Sequence, residues 1–164
     1  MSDINLDSKA VQNELVITRI FDAPKELVWK AWTDSEHLMQ WWGPKDFTSH
    51  FCKTDLRIGG KFHFCMKSSD GFEIWSTGVY KEVIHFDKLV FTNCFADEKG
   101  NIVPATHYGM PDNIPLEMQV TIILEDHKGK TKMTMIHKGL PSSETGGANI
   151  GWNESFDKLV SSLI

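Results

Sequence analysis

At 164 residues, 41% hydrophobic and 24% charged, the chain can build one globular domain with a sizeable core. Its 17 Lys and Arg against 22 Asp and Glu, spread without long runs, argue against a nucleic-acid or anionic-membrane surface. No apolar run approaches the roughly 18 residues of a membrane span, and residues 1–13 lack the apolar stretch of a signal peptide, so a cytoplasmic protein is expected.

Residues 1–13 read as a flexible leader and 14–164 as a single domain. Glu14 to Phe21, apolar and β-branched, predicts a strand. Asp22-Ala23-Pro24 supplies a helix start, and Leu27, Val28, Ala31 and Trp32 give the following helix an apolar stripe. Thr33 to Glu36 has the spacing of a capping box, which predicts a second short helix carrying Leu38, Met39 and Trp41, ended by Gly43-Pro44. Trp41-Trp42 reads as a plug at that end of the fold, with a ligand gate as the alternative.

From Phe47 the apolar period becomes two. Phe47 to Thr54, Lys61 to Lys67, Glu73 to Val83, Lys88 to Phe95, Leu116 to Glu125 and Thr131 to Lys138 alternate, with turn residues between them. Six such strands in series imply an antiparallel sheet. One connection, Ala96 to Pro115, holds three Pro and two Gly and is too long for a turn; it is expected either as a lid or as a loose insertion.

The last stretch, roughly Gly147 to Ile164, repeats Trp152, Phe156, Leu159, Val160 and Leu163 at helical spacing, and pairs Glu154 with Lys158 at i, i+4. An i, i+4 ion pair contributes a few tenths of a kcal/mol, so packing against the sheet must hold this helix. The resulting order is α+β: strand, two short helices, six strands, one long helix that the sheet curls around.

Ile17-Thr-Arg-Ile-Phe-Asp-Ala-Pro24, Val28-Trp29-Lys-Ala-Trp32, Trp41-Trp-Gly-Pro44, Asp55-Leu-Arg-Ile-Gly-Gly60, Gly78-Val-Tyr80 and Gly151-Trp152 resemble the family of bacterial proteins similar to the C-terminal domain of the activator of Hsp90 ATPase. That family belongs to the START/Bet v 1-like superfamily. The resemblance covers about residues 14–164 and implies a helix-grip fold, with a curved seven-stranded sheet around a C-terminal helix and a hydrophobic cavity between them. Superfamily relatives bind lipids, steroids, flavonoid-like molecules or polyketides, and some are cyclases, but no shared catalytic motif transfers to this chain. The co-chaperone role belongs to eukaryotic members with a separate N-terminal domain, which a thirteen-residue leader does not supply. An Hsp90 contact is accordingly a secondary expectation.

Alternation names the cavity wall. Phe62, Phe64 and Met66 share one strand face, as do Leu89, Phe91, Asn93 and Phe95, then Met118, Val120, Ile122 and Leu124, then Met133, Met135 and His137. The candidate ligand-binding set is Phe64, Met66, Trp75, Phe91, Asn93, Met118, Met133, Met135, His137, Trp152 and Phe156. Its aromatic and thioether side chains suit an apolar, ring-containing ligand. The bland alternative is that they simply interdigitate as core.

Three cysteines without CxxC spacing are expected as reduced thiols. His50, Cys52, His63 and Cys65 would meet on paper if 50 paired with 65 and 52 with 63. A regular sheet presents them side by side on the outer face, a poor fit to tetrahedral zinc, so neither metal nor cofactor is expected. Ser142, Ser143 and Glu144 lie outside any nucleophile-elbow pattern, so catalytic residues are not assigned. The leading expectation is a module for a small hydrophobic molecule. A cyclase- or hydrolase-type enzyme and a chaperone-linked interaction domain are the alternatives.

Overall fold

A computed structural model describes residues 14–163; the expected leader at 1–13 lies outside the described residues. The elements are β1 Glu14–Phe21, α1 Lys25–Thr33, α2 Ser35–Trp41, β2 Phe47–Thr54, β3 Lys61–Ser68, β4 Glu73–Ile84, β5 Lys88–Ala96, β6 Met118–His127, β7 Lys130–Lys138 and α3 Thr145–Ser162. Short 3-10 turns at Ala105–Tyr108 and Ser142–Glu144 sit in the long loop and before α3. The strands form one seven-stranded sheet in the order β1-β7-β6-β5-β4-β3-β2, with every pairing antiparallel. This is the helix-grip fold: the curled sheet holds α3 in its concave side.

The local chemistry behaves as the residue types require, with three differences from the expectations above. The cap of α2 is Asp34, whose carboxylate accepts the His37 N–H at 3.1 Å; Thr33 instead donates to the Trp29 carbonyl at 2.8 Å. The strand expected at Leu116 to Glu125 is Met118–His127, because Lys128 and Gly129 both take positive φ and close a tight hairpin of the primed kind. In α3, Phe156 and Leu159 are buried but Val160 is 44% exposed. The buried stripe is thus narrower than the periodicity suggests.

Polar side chains fix α3 in place. Arg19 on β1 donates to the Asn153 carbonyl at 3.0 Å and lies 2.8 Å from the Asp157 carboxylate. Lys158 donates to the carbonyl oxygens of Pro44 and Phe47 at 3.2 and 2.9 Å, and the Glu154 carboxylate accepts the Lys45 N–H. Glu154 and Lys158 therefore both reach the α2–β2 turn.

The interior beside α1 and α2 is close-packed. Trp32 meets Trp41 edge-on at 4.7 Å and donates its indole N–H to the Met133 sulfur at 3.3 Å, while Trp41 donates to the Ala31 carbonyl. Phe62 stacks on Phe64 at 4.7 Å and meets Phe91 edge-on, arrangements that add to plain area burial. Gly78 is required here. A Cβ at that position would lie 1.9 Å from the Thr92 carbonyl oxygen and 2.5 Å from the Phe62 ring. The residual void among these rings is about 10 Å³, barely the space of one water.

Candidate functional site

The other end of the same interior is open. Between the first half of α3, the ends of β3 to β7 and the long loop lies a cavity of about 380 Å³. It is bounded on the sheet by Met66, Ile74, Ser76, Asn93, Phe95, Met118 and His137, and on the helix by Gly147, Ala148, Gly151, Trp152 and Ser155. Trp42 lies at the junction of the packed and open ends and lines both the cavity and the small void.

The space exists because, apart from Trp152, the first half of α3 carries little side-chain volume where it faces the sheet. Gly147 or Ala148, Gly151 and Ser155 recur at helical spacing. A Cβ on Gly147 would meet nothing within 4 Å, and one on Gly151 only the Pro44 Cβ at 3.9 Å. One turn later Phe156 and Leu159 fill the gap completely.

The long loop supplies a further wall. Met110 and Ile114 line the cavity, and the loop is anchored by Tyr108, whose hydroxyl accepts the Trp75 N–H at 3.1 Å and donates to the Ala96 carbonyl. Near its start, His63 lies 3.1 Å from the Asp97 carbonyl oxygen, and Ala96 bridges Ile102.

Of the residues named from the sequence, Met66, Asn93, Met118, His137 and Trp152 meet at the cavity. Phe64, Phe91, Met133, Met135 and Phe156 face the same way but belong to the packed end, where the rings of α1 and α2 leave no room. Trp75 points to the opposite face of the sheet and packs on Phe51 and His63 at 5.5 and 4.9 Å. Strand alternation identified the inward face but not how far along it the aromatic residues of the short helices reach. The Gly/Ala/Ser spacing in α3 was the readable signal for the open end.

Besides Ser76, Ser155 and Glu144, two polar side chains with buried, unpartnered atoms interrupt the apolar lining. His137 is 5% exposed, and its Nδ1 accepts the Trp152 indole N–H at 3.0 Å. Burial pushes its pKa down to about 4, so the ring is neutral near pH 7. The His137 Nε2 and the Asn93 Oδ1 are buried without a hydrogen-bond partner. Between the inward-facing Asn93 and Phe95, Cys94 turns its side chain to the other face of β5 with Thr77, and burial pushes its thiol up to about 11.

The His50, Cys52, His63, Cys65 group does not assemble. A bulge between Ser49 and Phe51 shifts the register so that Phe51 pairs with Cys65 and Lys53 with His63, and Cys52 packs against the core. His50, Cys65 and Glu73 come together instead on the outer face, with ligand atoms within 4.8 Å of one another and the His50 Nε2 3.3 Å from a Glu73 oxygen.

Residues 22–163 match the family described as Activator of Hsp90 ATPase homolog 1-like protein. The chain belongs to that family. No curated protein matches it. Among solved structures, a protein of Arthrobacter aurescens is similar at 26% identity and a TM-score of 0.79, covering 94% of this chain and 87% of its own. A protein of Chromobacterium violaceum gives 22% identity and a TM-score of 0.77 over 92% and 96% of the two chains. The AHSA1 protein of Silicibacter pomeroyi gives 22% and 0.73 over the same shares. The last two likenesses establish the fold. Among the described residues of this family member, no helix is long and apolar enough to cross a membrane.

Proposed function

We propose that this chain is a binding module for a small, mainly apolar, ring-containing molecule held between the sheet and α3. The observation that carries the reading is the contrast inside one interior. Aromatic rings pack one end down to a void of about 10 Å³, whereas the other end keeps about 380 Å³, within the roughly 300 to 1,000 Å³ of small-molecule sites. Proteins close-pack their cores, and an apolar lining left facing water over that volume lacks the contacts made at the packed end. A resident ligand would restore them. Binding is favoured over catalysis by the state of the buried histidine at the wall, His137, which is held neutral with its Nδ1 engaged by Trp152.

Mass spectrometry of small molecules released from natively purified protein is the direct test. Trp42 and Trp152 line the cavity, so a ring compound entering it changes tryptophan fluorescence. Protein that carries nothing and shows no fluorescence response to a panel of steroids, flavonoids and fatty acids would overturn the reading.

A further inference from the structure

We propose that the cavity selects uncharged ring compounds that offer a carbonyl-type acceptor to the His137 Nε2–H and a hydroxyl-type donor to the Asn93 amide oxygen; this rests on the cavity being the binding site. An indole N–H can only donate, so the bond from Trp152 fixes the His137 Nδ1 as the bare nitrogen and leaves the imidazole proton on Nε2. That donor is buried and unpartnered, as is the Asn93 Oδ1. Buried polar groups are nearly always hydrogen-bonded, and two exceptions in the lining of one cavity mark where an occupant supplies the missing bonds. Met118 pairs with Asn93 across β5 and β6 and lines the same cavity. Its unbranched thioether is flexible and lets that part of the wall adapt to an occupant.

The charge of the occupant follows from the lining. Among the described residues no lysine or arginine lines the cavity, His137 is neutral, and the acidic residue at the wall is Glu144. A carboxylate brought here would be desolvated without a counter-charge and would face Glu144. A ketone, enone or phenol loses far less on leaving water.

Calorimetric titration of the full chain with benzophenone, diphenylmethane and diphenylacetate separates the terms, because the three share two rings and differ in the group that reaches His137. Benzophenone should bind on the order of tenfold more tightly than diphenylmethane, the worth of one buried hydrogen bond, and diphenylacetate more weakly than either. In His137→Met the thioether can still accept the Trp152 N–H, as Met133 accepts that of Trp32, but no donor remains, so the benzophenone advantage should vanish while diphenylmethane binding stays. 4-Hydroxybenzophenone should gain over benzophenone in the wild type and not in Asn93→Leu. Equal binding of ketone and hydrocarbon, or preference for the carboxylate, would overturn this proposal and leave the binding module standing. Failure of all four compounds, together with no co-purifying molecule, would overturn the binding module itself.

Discussion

Replacing Gly151 by leucine should leave the protein at least as stable and abolish ligand binding. A leucine in place of a helix-interior glycine contributes about 0.8 kcal/mol from backbone propensity alone. The added Cβ meets only the Pro44 Cβ, at an ordinary 3.9 Å, and the rest of the side chain enters the 380 Å³ cavity. Burying even part of it adds about 1 kcal/mol, so the net expectation is a gain of about 1 to 2 kcal/mol. For a chain of this size that is a melting-temperature rise of roughly 2 to 8 °C. Met135→Trp is the matched control. Met135 faces the same way but lies fully buried at the packed end, where added volume should cost about 1 to 3 kcal/mol. Thermal unfolding followed by circular dichroism, with a fluorescence titration on each variant, reads both effects. Destabilisation of Gly151→Leu as large as that of Met135→Trp would show that the space is not available, and unimpaired binding in Gly151→Leu would place the ligand elsewhere.

Four further outcomes are expected. With His137 at about 4 in the folded chain against the usual 6.5, the unfolded state binds the extra proton; stability should therefore fall as pH drops from 6.5 toward 4, by up to about 3 kcal/mol, and denaturant melts of His137→Asn should lose that part of the slope. Trp152→Ala, at a half-buried ring that stacks on Phe156 at 5.6 Å, should cost about 2 kcal/mol by urea melting; a change below 0.5 kcal/mol would show that the ring adds nothing to the fold. Gly78→Ala should cost about 3 kcal/mol or prevent folding, since its Cβ would collide with the Thr92 carbonyl, and a soluble variant with unchanged melting would contradict that geometry. Chelator should leave the melting temperature unchanged, because Cys65 is buried with its thiol pushed up to about 11 and His50 already meets Glu73; metal analysis showing one zinc per chain would refute this.

Legibility in the sequence followed the range of the interactions. The period-two pattern from Phe47 onward and the apolar stripe at Phe156 and Leu159 are local signals, and they yielded the sheet, its inward faces and the helix it grips. Asp34 rather than Thr33 caps α2 because the two sit one residue apart and only the backbone angle between the short helices decides which carries the cap. The bulge at Ser49 and Phe51 left no mark in the alternation, yet it turns Cys52 inward and brings His50 to Glu73. At the candidate site, Asn93, Met118, His137 and Trp152 followed from facing alone. Phe91 and Met133 could not be separated from them without knowing that Trp32 reaches across to both, a contact between residues far apart in the chain.

The tryptophan cluster around Trp32 and Trp41 also bears on how such a chain can change over generations. Its rings hold the sheet, the short helices and the lower half of α3 together, sharing only Trp42 and Trp152 with the cavity wall. Under the proposed binding role, replacements at Met110 or Ile114 on the long loop alter the shape offered to a guest while leaving that cluster intact. Most mutations that a fold rejects are rejected for lost stability, so positions uncoupled from it are free to drift or to be selected. If the cavity binds as proposed, the chain is suited to exchanging one guest for another by a few substitutions, and a library randomised at those two positions should yield mostly folded proteins with divergent preferences.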